Sequence, residues 1–521
     1  MPGSRFGAVD FAVLVAYLAG TTALGVWLGR KQKNASDYFV ADRSLPWWAV
    51  MFSIVASETS ALTFISIPGL AYMGNLGFLQ VAAGYILGRI VVAYVLLPRY
   101  FAGQLVTAYT LLETRFGPAT RRFASIVFMV TRAMADSVRV FATAIPIALI
   151  IGPVLPQRLM MPVAILILGA LTIFYTYRGG MRAVVWTELL QAAVYVTGGI
   201  SAVALLGTSA NGGWHEILRQ AGESGKLAVI SLYTGFDRPH TIFAGLIGGG
   251  FLAMASHGAD QMIVQRLLSS RSLRDAQRAI IGSGLVVFVQ FALFLTVGIG
   301  LWFFYMGTKF PSSDLIFPTF IIQAMPHGLL GLIVAAIVAA TMSTHSGAIN
   351  SLAAATTHDI YLPLTKRSVD DVATFRAGRL FALAWGVVLT GGAMLFPQGQ
   401  TPVVVIALSI ASFTYGALLG AFFLGIYNAR AVQRDAILGM SLGIIAMAGV
   451  VFAKPLVAAV PGLHGLLGPF VDVAWPWYVL IGTTITLAVG SVSAMTKLGS
   501  IARATRARSA RTSASGETIS T

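Results

Sequence analysis

Few side chains in this sequence can do chemistry. Of its 521 residues, 57% are hydrophobic and only 10% charged, and none is cysteine. Thiolate nucleophiles, thiolate metal sites and disulfides are therefore excluded. The seven histidines form no HExxH or paired spacing, and the sequence holds no GxSxG elbow and no glycine-rich phosphate loop. What remains is a small set of polar residues inside long apolar runs: Glu58, Arg89, Arg132, Asp136, Arg139, Glu188, His257, Asp260 and the cluster Ser343, Thr344 and His345. A charge at the centre of a membrane helix costs ~2.5 to 3.5 kcal/mol or more, so such residues mark where function lies. Arg89, Arg132 and Arg139 cancel Glu58, Asp136 and Glu188, which lets the core be neutral without a charged cargo.

The chemistry open to this set is ion and solute binding. Residues 340 to 351 read ATMSTHSGAINS. On a helix, Ser343, Ser346 or Gly347, and Asn350 share one stripe with Thr344 beside it, while His345 points roughly opposite Ser343. Adjacent hydroxyls at membrane depth serve either as hydrogen-bonding glue between helices or as ion ligands. Two other runs look interrupted: SIVASETS from Ser53 to Ser60 followed by Pro68 and Gly69, and Gly248 to Gly250 followed by ASHGAD from Ala255 to Asp260. Gly and Pro free backbone groups that lipid cannot satisfy, so a break at this depth lines a cavity, binds something or kinks a packing helix. Freed carbonyls plus hydroxyls supply several neutral oxygens, which suits a hard monovalent cation. Arg132, Asp136 and Arg139 fall on one helix face, the spacing of an internal ion-pair chain or, less simply, of a ligand contact.

The elements that position these residues are membrane helices. Apolar runs of about twenty residues, the length that crosses about 30 Å of hydrocarbon, recur thirteen times. They cover roughly residues 10–29, 47–73, 78–98, 123–150, 157–177, 183–207, 240–263, 279–306, 329–358, 376–396, 402–427, 435–454 and 472–495. The two interrupted spans lie five apart, as the first helices of two five-helix repeats would. Lys and Arg number 25 in one set of alternating connections, counting the C-terminal tail, and seven in the other set. Basic loops face the cytoplasm, so the N-terminus is expected outside and the C-terminus inside. The same asymmetry accounts for most of the net charge of +16, which in a soluble chain would suggest nucleic acid. The first span has no small-residue cleavage site and runs into the basic cluster at Arg30, so it reads as a retained helix. Residues 500–521, rich in Ser, Thr, Ala and Arg, read as a disordered cytoplasmic tail after a transmembrane domain of residues 1–499.

In order along the chain stand DYF from Asp37, SLPWW from Ser44, ASETS from Ala56, ETRF from Glu113, and YTYRGGMRA from Tyr175. They are followed by WTE to Glu188 with Gln191, Asp260 and Gln261 with Gln265 and Arg266, and Met342 to Thr344 with Asn350, Ser351 and Asp359 to Tyr361. This ordered set, across roughly residues 10 to 430, resembles the sodium:solute symporter family. The resemblance implies an all-α polytopic membrane protein of about thirteen helices with a leucine-transporter-like core. Its two five-helix inverted repeats would cover about 47–207 and 240–427. It also implies a sodium ion as coupling ion, held by the carbonyls of Ala56 and Thr59, the carbonyl of Ala340 and the hydroxyls of Ser343 and Thr344. Glu58 falls where proline-carrying members have Asp, and Glu188 falls at the position associated with a second ion or the inner exit route. Gly347 replaces a hydroxyl found in two-sodium members, leaving Ser346. Positions that face sugar in sugar-carrying members correspond to Thr63, Ala82, Tyr85, Ala253, Ser256 and His257. The fourth-span arginine of sialic-acid members corresponds to Ala135.

The function expected is therefore sodium-coupled symport of a small organic solute by alternating access in the plasma membrane. No covalent chemistry is expected, and the expected partners are a small-molecule solute and the lipid bilayer, with no nucleic acid and no obligate protein partner evident. Proton coupling through Glu58 or Glu188 is the alternative within this fold. A membrane-embedded sensor or enzyme is the alternative outside it, disfavoured because the sequence carries no recognisable signalling domain and no catalytic motif.

Overall fold

The computed structural model describes residues 6–29, 43–58, 61–102, 108–151, 155–176, 181–367, 372–396 and 402–514. Among them there is no strand, only one isolated bridge between Leu45 and Ser270. A helix satisfies its backbone within one segment, which is what apolar runs of this length require in lipid.

In chain order the helices are α1 (Ala8–Gly29), α2 (Trp47–Glu58), α3 (Ala61–Met73), α4 (Phe78–Ala102, with a π-turn at Val92–Leu96), α5 (Ala108–Phe116), α6 (Pro118–Ile151), α7 (Gln157–Thr176) and α8 (Met181–Ser209). There follow α9 (Gly213–Glu223), α10 (Gly250–Gly258, entered through a π-turn at Ala244–Gly249), α11 (Gln261–Leu268), α12 (Leu273–Phe304) and α13 (Ile316–Ala324). The chain continues through α14 (Leu329–Ala355), α15 (Val372–Ala393), α16 (Val403–Tyr427), α17 (Gln433–Val451) and α18 (Trp477–Ala514). Every expected span is thus occupied by a helix or a helix pair. Among the described residues eight helices are long and apolar enough to cross a membrane unaided, nine when α2 and α3 count as one bent span. The last helix continues to Ala514 through part of the stretch 500–521 expected to be a disordered tail, and residues 515–521 lie outside the described residues. Ala and Arg, which dominate that stretch, rank among the strongest helix formers.

Both expected interruptions are present. The axes of Trp47–Glu58 in α2 and Thr63–Met73 in α3 differ by 60°. Between α10 and α11 the backbone turns extended at Asp260, whose carboxylate accepts the Met262 amide at 2.8 Å and so caps α11. An acid that looked costly at membrane depth is there because a broken helix exposes N–H groups that need an acceptor.

These breaks are held around α14, whose apolar window is 88% buried against 33% for α18. Its N-terminus is capped by another helix: Asp10 of α1 accepts the Gly328 amide at 2.8 Å, the Gly331 amide at 3.1 Å and a contact from His327 Nδ1 at 2.7 Å. Asp314 does the same across the bundle, accepting from Ser66 Oγ of α3 at 2.6 Å and from the first amide of α16, Val403, at 2.8 Å. The α4 and α10 backbones meet closely because Gly88 has no side chain. A Cβ there would lie 2.2 Å from the Gly250 carbonyl oxygen and 2.7 Å from Ala253 Cβ.

Candidate ion and solute site

The residues that the resemblance offered as ion ligands lie at the end of α2 and in the middle of α14. Ala56, Ala340, Thr344 and Ser346 are all buried. Thr59 and the side chain of Ser343 lie outside the described residues. The α14 stripe meets α6 through hydroxyls. Thr143 donates to the Arg139 carbonyl at 3.0 Å, and its oxygen lies 2.5 Å from the Thr341 hydroxyl. Thr344 and His345 line one cavity of about 10 Å³ together with Asp136, Arg139, Val140, Thr143 and Thr341. Consecutive helical residues are about 100° apart, so Thr344 and His345 flank the same groove against α6.

The carboxylates do not stand free. Glu58, at the end of α2, pairs with Arg89 of α4 and lies 3.5 Å from His257 Nε2 of α10. Arg89 is fully buried and also donates to Ser283 Oγ at 3.1 Å. Glu188 of α8 receives the Ser53 hydroxyl at 2.6 Å, the Ser57 hydroxyl at 3.3 Å and Arg266 Nη2 at 2.8 Å. The guanidinium of Arg266 also donates to Ser53 Oγ at 3.1 Å and faces Gly347, where a Cβ would sit 3.9 Å from Nη2. A positive charge of the protein's own thus occupies the neighbourhood that the resemblance associated with a second ion. Arg266 is one of the 25 basic residues counted in the connections on the expected cytoplasmic side, yet its side chain is 2% exposed. The available signal was that Glu188 had no nearby partner, while Gln265 and Arg266 directly follow a broken span.

The α6 trio resolves into two roles. Arg132 Nε lies 2.5 Å from Asp136 Oδ2, and its Nη1 lies 3.7 Å from Asp260 Oδ2, which also accepts the Tyr415 hydroxyl at 2.5 Å. Arg139 Nη1 is 3.6 Å from Asp136 Oδ1, beyond hydrogen-bonding range.

Of the residues that the resemblance placed against solute, Thr63, Tyr85, Ser256 and His257 gather near Glu58. The Thr63 hydroxyl is 3.4 Å from the Glu58 carbonyl, and Ser256 Oγ is 2.8 Å from His257 Nδ1. Tyr85 is near enough to Glu58 and Arg89 to feel both charges. Ala82 and Ala253 are 1% exposed, and Ala253 is pressed against Gly88 in the contact between α4 and α10.

The family model described as "SSF: Sodium:solute symporter family" matches residues 38–443. The chain belongs to the sodium:solute symporter family. This symporter is 28% identical over 504 residues to the sodium/sialic acid symporter NanT of Aliivibrio fischeri, covering 95% of this chain and 94% of that protein. Its fold superimposes with a TM-score of 0.80 on a substrate-bound, outward-open Na+-coupled sialic acid symporter, at 27% identity over 94% of this chain and 98% of the other. Mhp1, a nucleobase-cation-symport-1 family transporter, shares the fold at a TM-score of 0.52 and 14% identity, over 90% of this chain and 96% of that one. The symporter is accordingly a multi-pass, leucine-transporter-like membrane transporter with sodium as its coupling ion, and not an enzyme.

Proposed function

We propose that this symporter couples one sodium ion to one small organic solute, with the ion at the junction of the α2–α3 break and α14. Its ligands are the Ala56 and Thr59 carbonyls, the Ala340 carbonyl and the Ser343 and Thr344 hydroxyls. The observation that carries the reading is the pair of broken helices, α2–α3 and α10–α11, both packed near α14 in a chain of this family. A helix break frees carbonyls that a dehydrated cation can use in place of water. A second ion at Glu188 and Ser346 is disfavoured because Arg266 already neutralises that carboxylate. Proton relay through Glu58 or Glu188 is disfavoured for the same reason, since each carboxylate is already paired with an arginine. Solute enters beside Thr63, Tyr85, Ser256 and His257, and alternating access moves the two repeats of residues 47–207 and 240–427 around this centre. The loop asymmetry supports a plasma-membrane orientation with the N-terminus outside and the C-terminus in the cytoplasm.

The test is thermal unfolding of the purified protein in sodium chloride and in potassium chloride at equal ionic strength. A ligand that binds the folded state raises its apparent stability, so sodium raises the unfolding temperature and potassium does not. Equal curves, with stability responding to pH alone, would reject sodium binding in favour of the proton reading.

A further inference from the structure

On the flank of the bundle, α6, α7 and the end of α15 enclose a cavity of about 230 Å³ that shares no lining residue with the small one beside Thr344. Its wall is apolar: Phe141 of α6, Met161, Pro162 and Ile165 of α7, and Met394 and Phe396 just past α15, with the two phenylalanine rings 6.5 Å apart. Its polar lining is Gln157 and Arg158, the first two residues of α7. Arg158 is exposed, and among the described residues it has no hydrogen bond and no ion pair. It is also the sole charged side chain in the stretches that build the cavity, residues 140–151, 157–176 and 383–396. A cation with no counter-ion of the protein's own thus stands at the mouth of an apolar bore.

The surroundings of the mouth belong to lipid. Leu159, Met394 and Leu395 beside it are exposed, Leu395 to 83%, and clustered exposed apolar side chains mark a membrane or protein contact. The helix is apolar from Leu159 onward, which puts Arg158 at headgroup depth, where long basic side chains reach the interface. From Gln157 to Ile165 the wall runs about 12 Å at 1.5 Å per residue. A cavity of about 150 Å³ already holds a benzene-sized guest, so this one takes a segment of an acyl chain while the rest of the molecule lies along the exposed faces of α7 and α15. Methionine adapts its shape to such a guest.

We infer that this cavity seats one anionic glycerophospholipid, its phosphate received by the Arg158 guanidinium beside the Gln157 amide, and one acyl chain laid against Phe141, Ile165 and Phe396. Charge selects the lipid class. A guanidinium fits a phosphate through paired N–H groups, and a zwitterionic headgroup brings a cation of its own that Arg158 repels. Phe141 stands between Arg139 and Thr143 on α6, and Thr143 meets Thr341 of α14, so a seated lipid steadies the helix that packs on the proposed ion centre. The site is independent of which ion or solute is carried.

The experiment is thermal unfolding of the purified full-length protein in detergent, titrated with phosphatidylglycerol, with phosphatidylcholine of the same acyl chains, and with glycerol 3-phosphate as a headgroup alone. Phosphatidylglycerol should raise the unfolding temperature saturably, phosphatidylcholine clearly less, and glycerol 3-phosphate not at all. Arg158→Gln, at an exposed position, should fold as the wild type does and need roughly tenfold more phosphatidylglycerol, in keeping with the loss of a hydrogen bond to a charged group. Arg274→Gln removes an exposed arginine outside the cavity and should respond as the wild type does. Ala393→Leu adds bulk inside the cavity and should weaken the response to both lipids; should it not fold, Met394→Trp narrows the mouth instead. The proposal is overturned if the two lipids act alike or if Arg158→Gln responds as the wild type does. It is equally overturned if Arg274→Gln loses as much as Arg158→Gln, which would indicate attraction to overall charge, or if filling the cavity changes neither response. Stabilisation by glycerol 3-phosphate equal to that by the lipid would reject the acyl-chain seat in favour of a soluble phosphate.

Discussion

At the scale of single residues, the buried charges come as matched sets: Glu58 with Arg89, Glu188 with Arg266, and Arg132 and Arg139 with Asp136 and Asp260. Breaking a buried pair by removing one partner costs about 3 to 5 kcal/mol, because a charge is left uncompensated, whereas replacing both partners by groups of similar volume is often neutral. Arg266→Met is therefore expected to lower stability by about that amount, and Glu188→Gln in the same chain to recover most of it, read from denaturant or thermal unfolding. Equal losses in the single and double variants would mean that Arg266 acts through its packing instead. These pairings were the least legible part of the sequence. Neutrality of the core could be counted from composition, but Ser53 and Glu188 are 135 positions apart and Arg121 and Asp359 are 238 apart. Nothing in local spacing pairs those residues, whereas Arg132 and Asp136, one helical turn apart, could be read as partners.

At the scale of elements, the breaks were legible because they are written locally. Gly248 and Gly249 close the π-turn that leads into Gly250 of α10, and Asp260 gives an extended residue with a capping carboxylate. The cross-helix caps were not, since Asp10 and Asp314 serve amides of α14 and α16 from elsewhere in the chain. The close approach of α4 to α10 makes a sharp expectation. Gly88→Val places a branched side chain where even a Cβ meets the Gly250 carbonyl oxygen at 2.2 Å. Overpacking typically costs about 1 to 3 kcal/mol and shifts backbone, and these two helices carry Tyr85 and His257. The variant should lose both thermal stability and solute response while its insertion in the membrane is unchanged. A Gly88→Val protein as stable as wild type would show that α4 and α10 are not held together as described.

At the scale of the whole molecule, topology and coupling are the claims at stake. The chain has no native cysteine, so a single introduced cysteine is an unambiguous probe. A cysteine near Arg219 in α9 should react with an impermeant reagent from outside, and a reporter fused to the C-terminus should read cytoplasmic. Labelling of that cysteine only from the inside would invert the orientation. The central claim, that sodium is held where the α2–α3 break meets α14, is tested most directly by equilibrium binding of radiolabelled sodium to the purified wild type and to Ser343→Ala and Thr344→Ala. A single saturable ion in the wild type, with each variant needing clearly more sodium for half-saturation while remaining folded, is the predicted result. Hydroxyls acting only as interhelical glue contribute about 0.6 kcal/mol to stability, and their loss would leave the binding curve where it was. Superimposable curves for all three proteins would contradict the account.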